Sequence, residues 1–257
     1  MSDSNRYSIN CTLNISYGTT CRQKLDIYGV NLPANAPILV YVHGGFWQGM
    51  NKYSSSFAIK PYIDNGCKVI IPDFDLCPDA SITEVVRQFQ KCSEFIFNYA
   101  QENSAKSVNF IGHSSGAHLI TFLLTKDFIN RIGDKFKLMK NIYLISGVYD
   151  LRELKDTKSV NRDNLLSLTD NNVNEMSPIL HSFNHLLDYK ININCYSGGN
   201  ESPTLQQQSR DYVALLKVIK HDARFTIVDD MDHFNIVERL SEKTYEITRQ
   251  INADLAL

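Results

Sequence analysis

The short run Gly112–Gly116 constrains the fold of this chain more than any other segment, because it joins three local structures in a fixed order. It follows the apolar stretch 107–111, which predicts a strand, and precedes Ala117–Leu124, whose composition is that of a helix. Glycines on both sides of Ser114 permit a sharp, strained turn that lifts the serine hydroxyl above the edge of a sheet. The run therefore predicts a nucleophilic serine at the carboxyl end of a strand.

The rest of the chain alternates short β-branched runs with longer stretches of helical period. That alternation is typical of a mainly parallel sheet with helices on both faces. The predicted strands are Lys24–Val30, Ile38–Val42, Lys68–Pro72, Val108–Ile111, Asn141–Ile145, Ile191–Tyr196 and Arg224–Val228. Between them, apolar residues at 85, 89, 92, 96 and 99 follow the spacing of one buried helix face. With a serine turn after a central strand, the pattern predicts an α/β-hydrolase fold.

The 257 residues fit one α/β domain, and we predict a single domain over residues 1–257. The segment at about 150–184 is polar, rich in Asn, Asp and Ser, and lies between two predicted strands. At this place hydrolases often carry an insertion that caps the active site. We predict such a small cap-like insertion, with a plain surface loop as the alternative.

Charge and cysteine usage exclude several classes of partner. The formal net charge is −2 and no block of Lys and Arg occurs, which argues against nucleic acid or an anionic membrane. The polar stretch Met1–Arg6 leads into no apolar region, so neither a signal peptide nor a membrane span is expected. The six cysteines form no Cys-x-x-Cys pair, and Cys92 and Cys195 are expected to be buried free thiols. We predict a cytoplasmic protein without metal or cofactor.

The loop after the strand Ile38–Val42 contains two consecutive glycines within His43–Trp47. A serine hydrolase needs backbone N–H groups directed at the developing oxyanion, and a glycine-rich turn in this position supplies them. The expected donors are the N–H groups of Gly45 or Phe46 together with that of Ser115. In isolation the same residues could form an ordinary glycine turn.

A histidine and an acid complete the hydrolase order downstream of the serine. His233 lies in the loop after the last predicted strand, where it could accept the proton of Ser114 and return it to a leaving group. Glu201 lies in the loop after the preceding strand, which gives the chain order serine, acid, histidine. Asp150, at the end of a neighbouring strand, is the rival acid, although a helix cap or loop anchor suits it better.

These motifs together resemble the kynurenine formamidase (arylformamidase) family, and its insect-type branch in particular. The resemblance extends from Tyr17 to Arg239, and one position departs from it, because the family usually has Asp where this chain has Glu201. The matching segments are His43–Trp47, Gly112–His118, Gly147–Leu154, Met176–Leu180 and Asp232–Val237.

The resemblance implies hydrolysis of N-formyl-L-kynurenine to L-kynurenine and formate, a step of tryptophan breakdown, without a cofactor. The catalytic groups it implies are Ser114, Glu201 and His233. Selectivity would come from aromatic walls around the arylamine, and the candidate walls are Phe46, Trp47, Tyr149 and Phe234. For Trp47, the only tryptophan of the sequence, packing in the core is the alternative.

Two other classes of protein remain to be weighed. A carboxylesterase of the hormone-sensitive-lipase type shares the fold and the triad but prefers short acyl esters. A non-catalytic binding protein on the same fold would normally have lost the serine or the histidine, and this chain has both. The expected partner is therefore a small-molecule substrate, and the oligomeric state is left open, with a homodimer as one option.

Overall fold

Eight strands form one sheet in the computed structural model, which describes Arg6, residues 8–219 and residues 221–256. The strands are β1 Cys11–Ser16, β2 Lys24–Tyr28, β3 Ile38–Val42, β4 Lys68–Pro72, β5 Val108–His113, β6 Met139–Ile145, β7 Asn192–Gly198 and β8 Ala223–Val228. Their order across the sheet is β1-β2-β4-β3-β5-β6-β7-β8. The pairs β1–β2 and β2–β4 are antiparallel, and every later pair is parallel. The predicted α/β-hydrolase fold is confirmed.

Helices connect the parallel strands and cover both faces of the sheet. The helix that the apolar spacing predicts begins after Ser81, whose hydroxyl accepts the N–H of Glu84 at 3.2 Å. The α-helices are α1 Lys60–Asp64, α2 Ile82–Glu102, α3 Ser115–Thr121, α4 Lys126–Ile132, α5 Pro203–Val218, α6 Asn235–Glu238 and α7 Glu246–Leu255.

The side chains of β3 show how the sheet builds two cores. Ile38, Val40 and Val42 belong to the cluster on the face covered by α2 and α3, while Leu39 and Tyr41 belong to the cluster on the opposite face. Successive side chains of a strand point to opposite faces, so a strand covered on both sides must be apolar throughout. Each such buried side chain contributes roughly 1.5–3 kcal/mol of hydrophobic stabilisation.

The edge strand β1 is absent from the predicted set. Its residues alternate between half-buried and exposed, and its pairing with β2 is interrupted by a register shift between Thr12 and Ile15. A short edge strand of this kind has a weak apolar signal, because its alternate residues Thr12, Asn14 and Ser16 are exposed. The six cysteines are free thiols, and Cys92 and Cys195 are buried as predicted. The polar stretch Met1–Arg6 lies outside the described residues except for Arg6.

Parallel pairing brings the carboxyl ends of β3, β5, β7 and β8 to one edge of the sheet. Val42 at the end of β3 is in register with Gly112 in β5, and Gly198 at the end of β7 is in register with Val228 in β8. Ligands of open α/β sheets bind beyond the carboxyl ends of the strands. The loops that leave this edge therefore determine what the protein can do.

Candidate active site

The turn at Ser114 is strained, and its neighbours hold it in place. Ser114 has φ 53° and ψ −119°, a conformation that L-residues rarely adopt, and its N–H donates to the carbonyl of Ile145 at 2.9 Å. A Cβ at Gly116 would lie 2.3 Å from the carbonyl oxygen of Val42, and one at Gly112 would lie 2.7 Å from the N–H nitrogen of Ala117. Both glycines are therefore sterically required, and the turn presents Ser114 to the cavity at the edge of the sheet.

Glu201 and His233 form a short hydrogen bond between Oε1 and Nδ1. The Glu201 side chain is fully buried, and its Oε2 accepts the N–H of Gly198 at 2.9 Å. Because an ionised carboxylate only accepts hydrogen bonds, Nδ1 of His233 carries the proton and Nε2 is the basic nitrogen. Ser114 Oγ makes no hydrogen bond to another described residue, and in hydrolases its bond to the histidine commonly tightens only when substrate binds.

Asp150, the rival acid, is engaged elsewhere. Its carboxylate pairs with the guanidinium of Arg152, with Nη2 to Oδ2 at 2.6 Å and Nε to Oδ1 at 2.9 Å. The hydrogen bond from Arg152 is the main reason that the pKa of Asp150 lies below its ordinary value. The structure therefore brings Glu201, and not Asp150, to His233.

Backbone hydrogen bonds join the acid loop to the histidine loop. The N–H groups of Gly199 and Asn200 donate to the carbonyls of Val228 and Met231 at 2.8 Å and 2.9 Å. A Cβ at Gly198 would lie 2.2 Å from the Met231 carbonyl oxygen, so only glycine permits this approach. The two loops hold each other, which limits the freedom of the Glu201–His233 pair.

Asp232 holds the other side of the histidine loop. Its Oδ1 accepts the N–H groups of Phe234 and Asn235, both at 2.8 Å. These bonds keep the pKa of Asp232 below its ordinary value, and they form the side-chain-to-backbone turn that Asp favours before a helix. Asp232 therefore fixes the backbone at His233, two residues before α6 begins at Asn235.

His113, the last residue of β5, contacts His233. Its Nε2–H donates to the carbonyl of His233 at 2.7 Å, and the two imidazole rings lie 4.7 Å apart. Burial, with a smaller contribution from His233, lowers the pKa of His113 to about 3, so its imidazole is neutral at neutral pH. His113, the residue directly before Ser114, thus holds the backbone of His233.

Acidification is expected to destabilise the protein through His113 and His118, because burial lowers the pKa of each imidazole to about 3. The unfolded chain binds protons at these sites below pH of about 6.5, whereas the folded chain does not, so stability is lost as the pH falls from there toward 3. At pH 5 the loss is about 2 kcal/mol for each histidine. Urea unfolding at pH 7 and pH 5 measures it, and His113→Asn should reduce the difference by about 2 kcal/mol. An unchanged difference would contradict this assignment.

The loop after β3 has a left-handed backbone at three successive residues. Gly45, Phe46 and Trp47 have φ values of 106°, 52° and 59°, and the loop closes through donation from Gln48 N–H to the Gly45 carbonyl at 2.9 Å. No described residue accepts a hydrogen bond from the N–H of Gly45 or Phe46. Ser115 is the first residue of α3, where N–H groups have no partner within the helix.

This loop lies against the nucleophile. A Cβ at Gly44 would stand 3.2 Å from Cβ of Ser114, and Gly45 and Phe46 line the same cavity as the serine. The donors expected from the sequence therefore lie on the two elements that flank Ser114. The arrangement can offer two or more N–H groups to an oxyanion.

Trp47 is part of the core and does not line the cavity, which corrects the expectation that its indole walls the substrate pocket. It is only 1% exposed. Its Nε1–H donates to Nδ1 of the buried His118 at 3.2 Å, and Nε2–H of His118 donates to the carbonyl of Met176 at 2.9 Å. A buried indole N–H requires a partner, and His118 supplies it. Trp47 therefore holds the strained loop after β3 against the core.

Replacing Trp47 by phenylalanine should lower kcat about tenfold with little change in KM, because the loop that offers the N–H groups of Gly45 and Phe46 loses its anchor. The variant also leaves the buried Nδ1 of His118 without a donor, at a cost of about 1–3 kcal/mol in stability. The effect is measured by steady-state kinetics with an arylformamide and an aryl ester, and kcat should fall by the same factor for both substrates. A selective loss with one substrate would indicate direct contact with the indole. Tyr149→Phe, which changes a buried ring away from the cavity, is the control.

Tyr149 is likewise buried and does not line the cavity, which corrects its expected role as a pocket wall. Its ring stacks on Tyr212 with centroids 4.4 Å apart and an interplanar angle of 5°. The strand β6 ends four residues earlier, and the chain there turns into the core. The aromatic identity of Tyr149 is explained by packing.

The cavity beside Ser114 has a volume of about 410 Å³ and a mainly apolar lining. Phe46 and Phe234 stand at it with 43% and 64% of their surfaces exposed. Several lining residues were not identified from the sequence, although Val237 and Glu238 follow Phe234 at helical spacing, a signal that could have revealed them. The lining residues are Tyr41, Gly45, Phe46, Met50, Ser54, Phe57, His113, Ser114, His233, Phe234, Val237 and Glu238.

The segment at 150–184 does not cap this cavity. None of its residues is among those that line it. Instead Leu151, Leu166 and Met176 pack into the core on the face of α2 and α3, and the carbonyl of Val160 accepts from Gln48 Nε2 at 2.7 Å. The expected insertion therefore packs into the core and contacts the loop after β3 through Gln48.

The described residues provide neither a metal centre nor a membrane-spanning helix. Within them, no group of three or more His, Cys, Asp or Glu side chains could hold a metal ion. None of the described helices is long and apolar enough to cross a membrane.

Comparisons with known proteins identify the family and the fold of this chain. The family model described as BD-FAE matches residues 25–184. A kynurenine formamidase from Drosophila melanogaster is 32% identical over 89% of this chain and 76% of its own length. A proposed thioesterase from a Silicibacter species superposes with a TM-score of 0.80 at 25% identity, over 96% of this chain and 88% of that one. Esterase B from Lactobacillus rhamnosis shares the fold, with a TM-score of 0.74 at 15% identity over 99% and 90% of the two chains.

Proposed function

The chain belongs to the kynurenine formamidase family, and we propose that it hydrolyses N-formyl-L-kynurenine to L-kynurenine and formate through Ser114, His233 and Glu201. The observation that carries this proposal is the hydrogen bond between the buried carboxylate of Glu201 and the imidazole of His233, which lines the same cavity as the strained Ser114. A carboxylate that fixes the proton of a histidine on Nδ1 leaves Nε2 to act as a general base. Ser114 lies at the strained turn between β5 and α3 and lines the same cavity as His233.

In the first half of the reaction, Ser114 Oγ attacks the formyl carbon while Nε2 of His233 takes the hydroxyl proton. The negative charge that develops on the formyl oxygen is stabilised by N–H groups of Gly45 or Phe46 and of Ser115. The tetrahedral intermediate collapses as the carbon–nitrogen bond breaks, and the imidazolium gives its proton to the departing arylamine. The products of this half are the free amine and a formyl ester of Ser114.

In the second half, water replaces the amine. His233 removes a proton from water, the hydroxide adds to the formyl ester, and the oxyanion is held by the same N–H groups. Collapse of this intermediate returns the proton to Ser114 Oγ and releases formate. The steps balance without any external oxidant, reductant or metal ion.

The cavity supports an aromatic leaving group. The formyl group is very small, so most of the 410 Å³ is available to the amine. Phe46 and Phe234 are exposed aromatic side chains on the oxyanion and histidine loops, and aromatic rings favour stacked or edge-on contacts with a planar arylamine. We propose that these two rings contact the kynurenine ring.

The substrate test compares N-formyl-L-kynurenine with p-nitrophenyl acetate at equal enzyme concentration. We expect kcat/KM to favour the formamide by at least about tenfold, because the aromatic contacts of the amine strengthen its binding in the transition state. Release of kynurenine is measured by its absorbance, and Ser114→Ala is the blank for both substrates. A preference for the ester would favour the carboxylesterase alternative.

Cellular location and assembly stay predictions. We propose a reducing, cytoplasmic location, which the six free thiols support, and they form no cysteine pair in the described structure. A homodimer remains one option for the oligomeric state, and sedimentation of the purified protein tests it.

A further inference from the structure

Among the described residues that line the cavity, Glu238 is the only acidic one, and none is Lys or Arg. The carboxylate of Glu238 has no hydrogen-bond or ion-pair partner among the described residues. Arg239, the cation next to it, is bound to Glu242, with Nη2 to Oε2 at 3.0 Å. Glu238 is exposed at this mainly apolar cavity, and one unpaired carboxylate there attracts a cation and disfavours an anion.

Glu238 lies on the helix that also carries an aromatic wall. Phe234 and Glu238 are four residues apart, and the Glu238 N–H donates to the Phe234 carbonyl at 3.0 Å. Side chains four residues apart in a helical turn share one face. An occupant whose ring contacts Phe234 therefore brings its neighbouring substituents to Glu238.

We propose that Glu238 binds the α-ammonium group of the substrate and selects arylformamides whose amine part carries a positive charge. This inference rests on the proposed function and adds a specificity-determining residue to it. No described Lys or Arg lines the cavity, so we expect the substrate carboxylate to add little to selection. The charge of the side chain, and not the amino acid as a whole, is what the cavity recognises.

Three formamides separate these contributions: N-formyl-L-kynurenine, its analogue without the α-amino group, and its analogue without the α-carboxylate. With the unaltered protein, kcat/KM should be about three- to tenfold higher for the two amines than for the deaminated compound, the range of a partly screened ion pair. The decarboxylated amine should be at least as good a substrate as N-formyl-L-kynurenine. A loss on removing the carboxylate would overturn the claim that only the ammonium is recognised.

Glu238→Gln keeps the shape of the side chain and should abolish the preference for the amines, mainly through KM. Glu238→Lys should reverse it, so that the deaminated acid becomes the best of the three substrates. Glu102→Gln, which removes an exposed charge at the end of α2 outside the cavity, is the matched control and should leave the ranking unchanged. The preference should also shrink as ionic strength rises from 0.02 to 0.5 M, because exposed charges are screened.

The results separate this inference from the proposed function. If the unaltered protein does not hydrolyse any of the three formamides, the proposed function fails. If it hydrolyses them and Glu238→Gln retains the full preference for the amines, the inference is wrong while the function stands. Loss of the preference in Glu238→Gln together with its reversal in Glu238→Lys supports the role of Glu238.

Discussion

Replacing Ser114 by alanine is expected to lower kcat by a factor of about 10⁴ or more, because no other group can form the covalent formyl-enzyme. Replacing His233 by alanine should cost about the same, since the serine hydroxyl then has no base beside it. The two residues act as one unit, so the double variant should be little worse than either single variant. Release of kynurenine from N-formyl-L-kynurenine at saturating substrate measures all three.

Folding is the control for this comparison. Alanine, like serine, has a Cβ, so the residue at position 114 still has to adopt φ 53° and the strain of the turn is unchanged. The midpoint of thermal unfolding should therefore remain close to that of the unaltered protein. Near-normal turnover by folded Ser114→Ala would show that Ser114 is not the nucleophile. Additive losses in the double variant would show that Ser114 and His233 act independently.

The local motifs were the part of this molecule that its sequence could predict. The turn at Ser114 is recognisable because steric contacts between adjacent elements demand glycine at 112 and 116, and those contacts are the same wherever the turn occurs. The alternation of strands and helices likewise follows from periodicity, and the half-exposed edge strand Cys11–Ser16 is the one described strand that it did not predict. The resemblance to the kynurenine formamidase family is confirmed by relatives that match most of the chain.

The cavity lining could not be predicted in the same way, because it depends on where side chains point after the loops have packed. Trp47 and Tyr149 were expected at the pocket from their chemistry, yet both are buried, one against His118 and the other against Tyr212. Burial of an aromatic ring is decided by tertiary contacts that the motif does not contain. Met50 and Glu238 line the cavity, although neither belongs to a recognised motif.

Glu201→Gln is expected to lower kcat by about 10⁴, the loss typical of removing the orienting acid of a triad. The amide has one oxygen and one NH₂ group, and the Gly198 N–H, which now donates to Oε2 at 2.9 Å, needs the oxygen. The NH₂ group then faces Nδ1 of His233, which must accept, so the proton moves to Nε2. An imidazole protonated at Nε2 cannot take the proton of Ser114, and the variant should fold normally but turn over very slowly.

Asp150→Asn is the matched comparison, because it makes the same carboxylate-to-amide change at the rival acid. Asp150 pairs with Arg152, so its replacement should change stability slightly and leave kcat within about threefold. Glu201→Asp, which restores the residue usual in the family, should recover more activity than Glu201→Gln, since a shorter carboxylate still holds the proton on Nδ1. The kcat values of the three variants rank their kinetic losses, and their midpoints of thermal unfolding show whether each variant is folded. A larger kinetic loss in folded Asp150→Asn than in Glu201→Gln would assign the acid to Asp150.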